Sequence, residues 1–254
     1  MSTVHILINC GPCEDFVGKC IASVRKQSFR NWRAWVTADA CGDATCDRAI
    51  EAANGDARIH VQRNPKRLYS MANLVRSIKR SKAAPEDILV CLDGDDWFYD
   101  RNALRTIVDT YEAYDCWATY GSWLSNVPNL AGGYNGLWPA YPEGAVDFRR
   151  HRFLGTAVRT WKRWLWDWIR DEDLRSDSGK YVRVSEDQMI MIPVLEMCGT
   201  AKARHIAKPL MIYNKLQSYA PNPALQREGL RNGELIEMRK PYRRLKTKPK
   251  LAKP

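Results

Sequence analysis

At 254 residues, 45% hydrophobic and 10% aromatic, the chain can bury one sizeable α/β core, and no apolar run reaches the ~20 residues that a membrane-spanning helix needs. The formal charge is +11, but eight Lys or Arg fall within residues 239–254 with no acid among them; the remainder carries only +3, so nucleic acid is not the expected partner. The eight cysteines follow an N-terminus without a basic-then-apolar leader, so reduced thiols in a cytoplasmic protein are expected, not a disulfide framework.

The run at 4–9 (VHILIN) predicts a first strand. Phe16, Val17, Cys20, Ile21 and Val24 then recur at helical spacing and predict a helix over 14–27. Residues 32–38 read as a second strand, followed by a polar turn and a helix with Ala49, Ile50 and Ala53 inward. A short third strand is expected at 58–62, a helix at 71–81, a fourth strand at 88–92 and a helix at 101–114. Such alternation predicts a mostly parallel sheet with helices on both faces. The pattern weakens over 122–147, where Gly132-Gly133-Tyr134-Asn135-Gly136 suggests loops. Helices are expected again at 156–169 and 186–198 (despite Pro193), and short strands at 203–206 and 210–213. After Ser218 little is seen that could pack. The expected organisation is a folded domain over 1–218 and a basic, flexible tail over 219–254, suited to an anionic membrane surface, an acidic polymer or solubility alone.

The fourth strand ends in Asp93-Gly94-Asp95-Asp96-Trp97. Three carboxylates within four residues repel one another unless a cation or a donor-rich partner sits among them. Hard oxygen ligands at this spacing suit Mg²⁺ or Mn²⁺ with a phosphate as co-ligand. A polar turn after a strand is the plainer reading of the same residues. In open parallel sheets ligands bind beyond the carboxyl ends of strands, where strand order reverses. The loops to watch are therefore Asn9-Cys10-Gly11-Pro12, Asp39-Ala40-Cys41-Gly42-Asp43 and the acidic motif.

An ordered set of segments resembles the family 2 glycosyltransferases, whose fold is GT-A. The first strand and the helix ending Ser23-Val24-Arg25-Lys26-Gln27-Ser28-Phe29-Arg30-Asn31-Trp32 are similar to the family's opening. Val36-Thr37-Ala38-Asp39-Ala40-Cys41-Gly42-Asp43-Ala44-Thr45 looks like its "V-x-D-D-G-S-x-D-x-T" segment, with Ala38 replacing the first aspartate. Met71-Ala72-Asn73 stands where "A-R-N" precedes a helix, Leu92-Asp93-Gly94-Asp95-Asp96 matches "L-D-x-D-D", and Ser185-Glu186-Asp187-Gln188 resembles the later acidic motif. The set covers roughly residues 4–215.

The resemblance implies a metal-dependent, inverting hexosyl- or N-acetylhexosaminyl-transferase. The donor would be a nucleotide sugar, UDP-linked by preference, and the acceptor hydroxyl would belong to a glycan, a lipid-linked saccharide or a protein. It implies nucleotide contacts from Asn9, Cys10, Glu14, Asp39, Arg67, Asn73, Asp93 and Gly94. Asp95 would bind Mn²⁺ or Mg²⁺ directly; Asp93 would meet the ribose or the metal; Asp96 would ligate, orient its neighbours or cap the next segment. Asp187 would be the general base, with Glu186 as the alternative or its support. The competing reading of that segment is ordinary helix N-terminal chemistry capped by Ser185. Asp39 and Asp43 likewise double as turn or cap residues. Relatives place a late histidine near the metal; here 213–218 has none, which leaves Lys215 as a phosphate contact and His205 and His151 without a clear role. Trp161, Trp164 and Trp168 share one helical face at i, i+3 and i+7; they pack inward, or one ring meets the acceptor.

Four rival readings compete. Cys10-Gly11-Pro12-Cys13 has the residues of a thioredoxin active site, but no aromatic residue precedes Cys10. Zinc at Cys10, Cys13 and Cys20 lacks a second ligand pair. A metal-dependent nucleotidyltransferase would need a glycine-rich basic phosphate loop that is missing, and a nucleic-acid-binding module would rest on the tail alone.

Overall fold

The computed structural model describes residues 2–128, 136–144, 146–217 and 222–249. The glycine run at 132–135 therefore lies outside the described residues. One curled sheet has the order β3-β2-β1-β4-β7-β6-β8-β5. Its first half is parallel: β1 (Val4–Cys10), β2 (Trp32–Ala38), β3 (Ile59–Arg63) and β4 (Ile88–Asp93). These strands are Val/Ile/Leu-rich because both faces are covered. α1 (Glu14–Arg25), α2 (Thr45–Ala53) and α4 (Ala103–Tyr114) bury Val17, Ile21, Ala49, Leu104 and Ile107 with Ile6 and Ile8 on one face. α3 (Tyr69–Ser81) and α6 (Glu186–Lys202) cover the other with Leu74, Ile78, Ile190 and Leu195 against Leu7 and Trp35.

Strand order reverses between β1 and β4, which pair in parallel with Asn9 opposite Asp93. Beyond β4 the sheet is mixed. β5 is the two-residue strand Trp97–Phe98, antiparallel to β8 (Ala203–Tyr213); β6 (Ala118–Ser125) runs parallel to β8, with a register shift between Gly121 and Trp123. The two short strands expected at 203–206 and 210–213 are thus one; β6 takes the first four residues of the stretch read as loops, and the described residues from 126 to 147 are loop as expected.

The helix expected over 156–169 is instead β7 (Thr160–Lys162), inserted antiparallel between β4 and β6, then the single turn α5 (Arg163–Trp166). Its tryptophans belong to two elements, so they do not form one helical face. Trp161 and Trp164 are 0% and 1% exposed, and Trp164 meets Trp117 edge-on at 5.2 Å. Both are core residues, and neither can meet an acceptor.

The segment read as a flexible tail also differs. Residues 223–238 form α7 (Pro223–Met238), started by Asn222, whose side chain accepts from Ala224 and Leu225 N–H, and burying Asn232, Leu235 and Ile236. Beyond it, Tyr242 donates to Asp173 at 2.5 Å, and Leu245 N–H bonds to Met197 C=O at 2.9 Å. Arg149 forks onto Glu196 at 2.6 and 2.8 Å and reaches the carbonyls of Ile236 and Lys240. Sparse hydrophobicity hid this packing, because much of it is polar. Among the described residues no helix is long and apolar enough to cross a membrane.

Candidate active site

A cavity of about 350 Å³ opens at the carboxyl ends of β1 and β4, where strand order reverses. Asn9, Cys10, Asp39, Arg67, Asn73, Asp93, Asp95 and Glu186 line it, so most of the residues singled out in the sequence converge there.

The acidic turn is held from behind. Gly94 N–H donates to Asn9 C=O at 2.9 Å, and Cys20 Sγ reaches Asp93 C=O at 3.6 Å. A Cβ on Gly94 would collide with Cys10 Sγ and stand 3.0 Å from its Cβ, so only glycine fits. Asp96 is buried and accepts Asn214 N–H at 2.8 Å, which ties the turn to the end of β8. Burial, with Asp93 and Asp95 beside it, pushes the Asp96 carboxyl up to about 8. Burial likewise raises Asp93, helped by Asp95 and Asp187 and opposed by Arg159. This is the electrostatic state of a site short of positive charge.

Asp39 builds the opposite wall. Its Oδ1 accepts from Asn64 Nδ2 and Leu68 N–H, both at 2.8 Å, and its Oδ2 accepts Tyr69 N–H at 2.7 Å. Three of its ~four acceptor positions are spent on the first turn of α3 and the preceding loop. Asn64 also donates to Asn73 Oδ1 at 2.7 Å, so Asn73 is locked beneath the cavity. Asn9 donates to Ser70 C=O at 3.3 Å, while its Oδ1 is buried without a hydrogen-bond partner.

At the third side, α6 begins with the second acidic motif. Ser70 Oγ donates to Glu186 Oε2 at 2.9 Å. Burial, then the charge of Asp187, push Glu186 up to about 7. Asp187 is more accessible, with a side chain 30% exposed and Oδ2 3.7 Å from Arg159 Nη1. Ser185 stands at the helix start, but its side chain makes no capping bond there. α7 props this motif: Arg183 pairs with Glu228 at 2.6 Å, and Asn232 Nδ2 donates to Val184 C=O at 3.0 Å.

Backbone strain concentrates here too. Of the six non-glycine residues at positive φ among the described residues, Asn54, Lys82 and Asp115 merely end helices. The other three are Ala40, next to Asp39, and Tyr69 and Ser185, which line the cavity. Such conformations persist where surrounding structure over-determines them, and they cluster at functional sites.

Sequence reading missed Arg159. Burial works against its charge, but Asp187, Asp93 and Glu186 together hold it above the ordinary arginine range. It joins both acidic motifs, yet sits in a segment whose tryptophans mimic a helix. Tyr69 and Ser70 were missed as well; Arg183, two residues before Ser185, had a positional signal.

Other expectations fall outside the cavity. Glu14 accepts Ala44 N–H at 2.8 Å and gives its own N–H to Asp43 at 3.2 Å, clamping the starts of α1 and α2. Asp43 also accepts Thr45 N–H at 3.1 Å, the turn role. Lys215 is exposed, with Nζ 5.5 Å from the Trp123 ring centre. His205 packs on Tyr120, and His151 bonds to Arg152 C=O. Hydrogen bonding to Cys13 and burial push the Cys10 thiol well above its usual range, the reverse of what redox catalysis needs.

Among the described residues, no group of three or more His, Cys, Asp or Glu is arranged to hold a metal ion. A closed protein cage is therefore absent there. The donor set fits a cation held by one or two carboxylates and completed by substrate phosphates.

A sequence model described as glycosyl transferase family 2 matches residues 4–175. The chain is similar to TarS 1-349 from S. aureus in complex with UDP-GlcNAc, with a TM-score of 0.65 and 13% identity over 85% of this chain and 60% of that one. For TarS 1-349 with UDP the values are 0.67 and 14%, over 92% and 65%. The mannosyltransferase PcManGT from Pyrobaculum calidifontis, in complex with GDP-Man and Mn²⁺, gives 0.61 and 15%, over 94% and 65%. The chain thus spans less than two thirds of each of these structures. At such identities the likeness establishes the fold, which is the expected GT-A architecture. No curated protein sequence matches.

Proposed function

The chain belongs to glycosyl transferase family 2, and from that footing we propose that it transfers a sugar from a nucleoside-diphosphate donor, UDP-linked by preference, to an acceptor hydroxyl with inversion. The observation that carries this reading is the convergence of Asp93 and Asp95 with Glu186 on one cavity at the strand-order reversal.

The nucleotide lies along the wall formed by Asn9, Asp39, Arg67 and Asn73. Asp39 keeps one acceptor position for a base N–H. The Arg67 fork faces phosphate oxygens. Asp95, with Asp93, holds Mn²⁺ or Mg²⁺, which when bound supplies positive charge against the departing diphosphate.

Asp187 accepts the proton of the attacking hydroxyl. Its side chain is 30% exposed and pairs with Arg159 at 3.7 Å, next in sequence to the cavity-lining Glu186. Glu186 suits that role less, since Ser70 Oγ already donates to one of its oxygens at 2.9 Å. Its task is to hold the Ser70 turn against α6.

The test is a thermal-shift and hydrolysis screen over nucleotide sugars with and without Mn²⁺, followed by two variants. Asp95→Asn is expected to abolish the Mn²⁺-dependent part of the donor shift. Asp187→Asn is expected to keep donor binding and lose transfer by about 10²–10⁴-fold. Donor shifts independent of metal for every nucleotide sugar would remove the metal assignment. An unchanged transfer rate in Asp187→Asn would remove the base.

A further inference from the structure

A second cavity of about 760 Å³ opens beside the donor pocket. The two share Arg67, Tyr69 and Arg183 as a common wall, and the sign of their linings changes across it. The donor side carries Asp39, Asp93, Asp95 and Glu186. The second side carries Lys66, Arg67, Arg175, Lys180 and Arg183 against a single carboxylate, Glu228. Glu228 already neutralises Arg183 at 2.6 Å, and Asp171 neutralises Arg175 at 2.5 Å. Lys66, Arg67 and Lys180 have no ion pair among the described residues.

A cleft with one sign of charge and low-dielectric walls concentrates counter-ions. Its apolar surface is aromatic. The Arg67 and Arg183 guanidinium groups both stand over the Tyr69 ring, 4.9 and 5.2 Å from its centre. The Tyr181 ring lies under Arg175 at 4.1 Å, and its hydroxyl donates to Asp171 at 2.8 Å. Tyr69 adopts φ +64°, held there by the bond from its N–H to Asp39. The dividing ring is thus fixed at a backbone conformation that a tyrosine rarely takes.

We propose that this cleft is the acceptor subsite and that the acceptor is an anionic glycan, a saccharide chain whose phosphate or carboxylate groups meet Lys66 and Lys180. The inference rests on the reading of the neighbouring pocket as the donor site. The unpaired cations take the anionic substituents, and continuity across Tyr69, which lines both cavities, brings the chain to the reacting sugar. Neutral saccharides would leave Lys66 and Lys180 without partners in the cleft.

The full chain is titrated by calorimetry at 50 mM and 300 mM NaCl. The probes are a phosphodiester-linked oligosaccharide, an oligogalacturonate of equal charge, a neutral malto-oligosaccharide and a single-stranded DNA of equal charge. Both anionic saccharides, or the one bearing the right group, are expected to bind at least tenfold more tightly than the neutral one; their ranking tells phosphate from carboxylate. Lys66→Glu combined with Lys180→Glu is expected to weaken that binding at least tenfold and leave the nucleotide-sugar thermal shift unchanged, because neither lysine lines the donor pocket. Equal binding of charged and neutral saccharides overturns the proposal. So does tighter binding of DNA, or binding that ignores Lys66 and Lys180 and disappears with Arg243→Glu and Lys246→Glu on the C-terminal segment. Failure of the donor reading shows separately, as a wild-type chain with no shift for any nucleotide sugar.

Discussion

Removal of the Asp39 carboxylate distinguishes a residue that only touches the donor from one that builds the pocket. Three donors converge on it: Asn64 Nδ2 and Leu68 N–H at 2.8 Å on Oδ1, and Tyr69 N–H at 2.7 Å on Oδ2. Asp39 itself is 6% exposed. A hydrogen bond to a charged group contributes about 1.5–3 kcal/mol, and an orphaned buried donor costs about 1–3 kcal/mol. Water entering from the cavity can serve some of the three, so Asp39→Ala is expected to lose about 3–5 kcal/mol, less than the sum of three full bonds. At ~2–4 °C per kcal/mol for a chain of this size, the thermal midpoint falls by roughly 6–20 °C. Asp39→Asn keeps one acceptor oxygen, and with it the Asn64 and Leu68 bonds, but sets an amide N–H against Tyr69 N–H. Its expected loss is about 1–3 kcal/mol. Urea unfolding followed by tryptophan fluorescence gives the stabilities, and nucleotide-sugar thermal shifts give donor binding. Both are expected to fall in the order wild type, Asn, Ala, since the turn carrying Arg67 and Tyr69 loosens with its anchor. An Asp39→Ala protein within ~0.5 kcal/mol of wild type that no longer binds donor would refute this: Asp39 would then be a ligand contact and nothing more.

Gly94→Ala places a Cβ 3.0 Å from Cys10 Cβ and 3.2 Å from its Cα, and is expected to cost about 1–3 kcal/mol of stability together with donor affinity. Cys10→Ala in the same chain should recover part of that loss, with a coupling above ~0.5 kcal/mol in a double-mutant cycle; strict additivity would rule out the contact. Glu186 and Asp96, at about 7 and about 8, keep protons in the folded chain that the unfolded chain loses near pH 4. The folded state therefore binds more protons across this window, and stability, fully present below the unfolded carboxylate values, falls as pH rises through 7 and 8. A ligand-free urea midpoint no lower at pH 8 than at pH 5 would contradict the burial of these acids. Arg149 and Glu196 form a fork with side chains only 6% and 8% exposed, so Arg149→Ala leaves a buried carboxylate unpaired at a cost of about 3–5 kcal/mol. A loss under 1 kcal/mol would mean that the C-terminal segment is not seated there.

The parts of this fold that sequence reveals are those whose signal is local. β1, β2 and β4 lie in the covered half of the sheet, so they announce themselves as apolar runs, and Asp93 and Asp95 follow such a run directly. β7 has three residues, too few for an alternation to show, and takes its register from Leu89 on one side and Ala118 on the other. Its neighbouring tryptophans imitate a helix because a strand and a one-turn helix happen to bring them to the same core. α7 was invisible for a different reason. With Gly229 and Gly233 and few apolar positions, it holds to the body through Glu228–Arg183 and Asn232–Val184, and those partners lie about 45 residues upstream. The same asymmetry governs the site. The acids of the cavity sit close together along the chain and can be read as motifs. The groups that balance and orient them come singly from distant segments: Asn64 for Asp39, Ser70 for Glu186, Arg159 for Asp187. A lone arginine has no spacing to read. Its identity as a site residue rests on a folded arrangement in which three acids surround a charge that burial alone would have disfavoured.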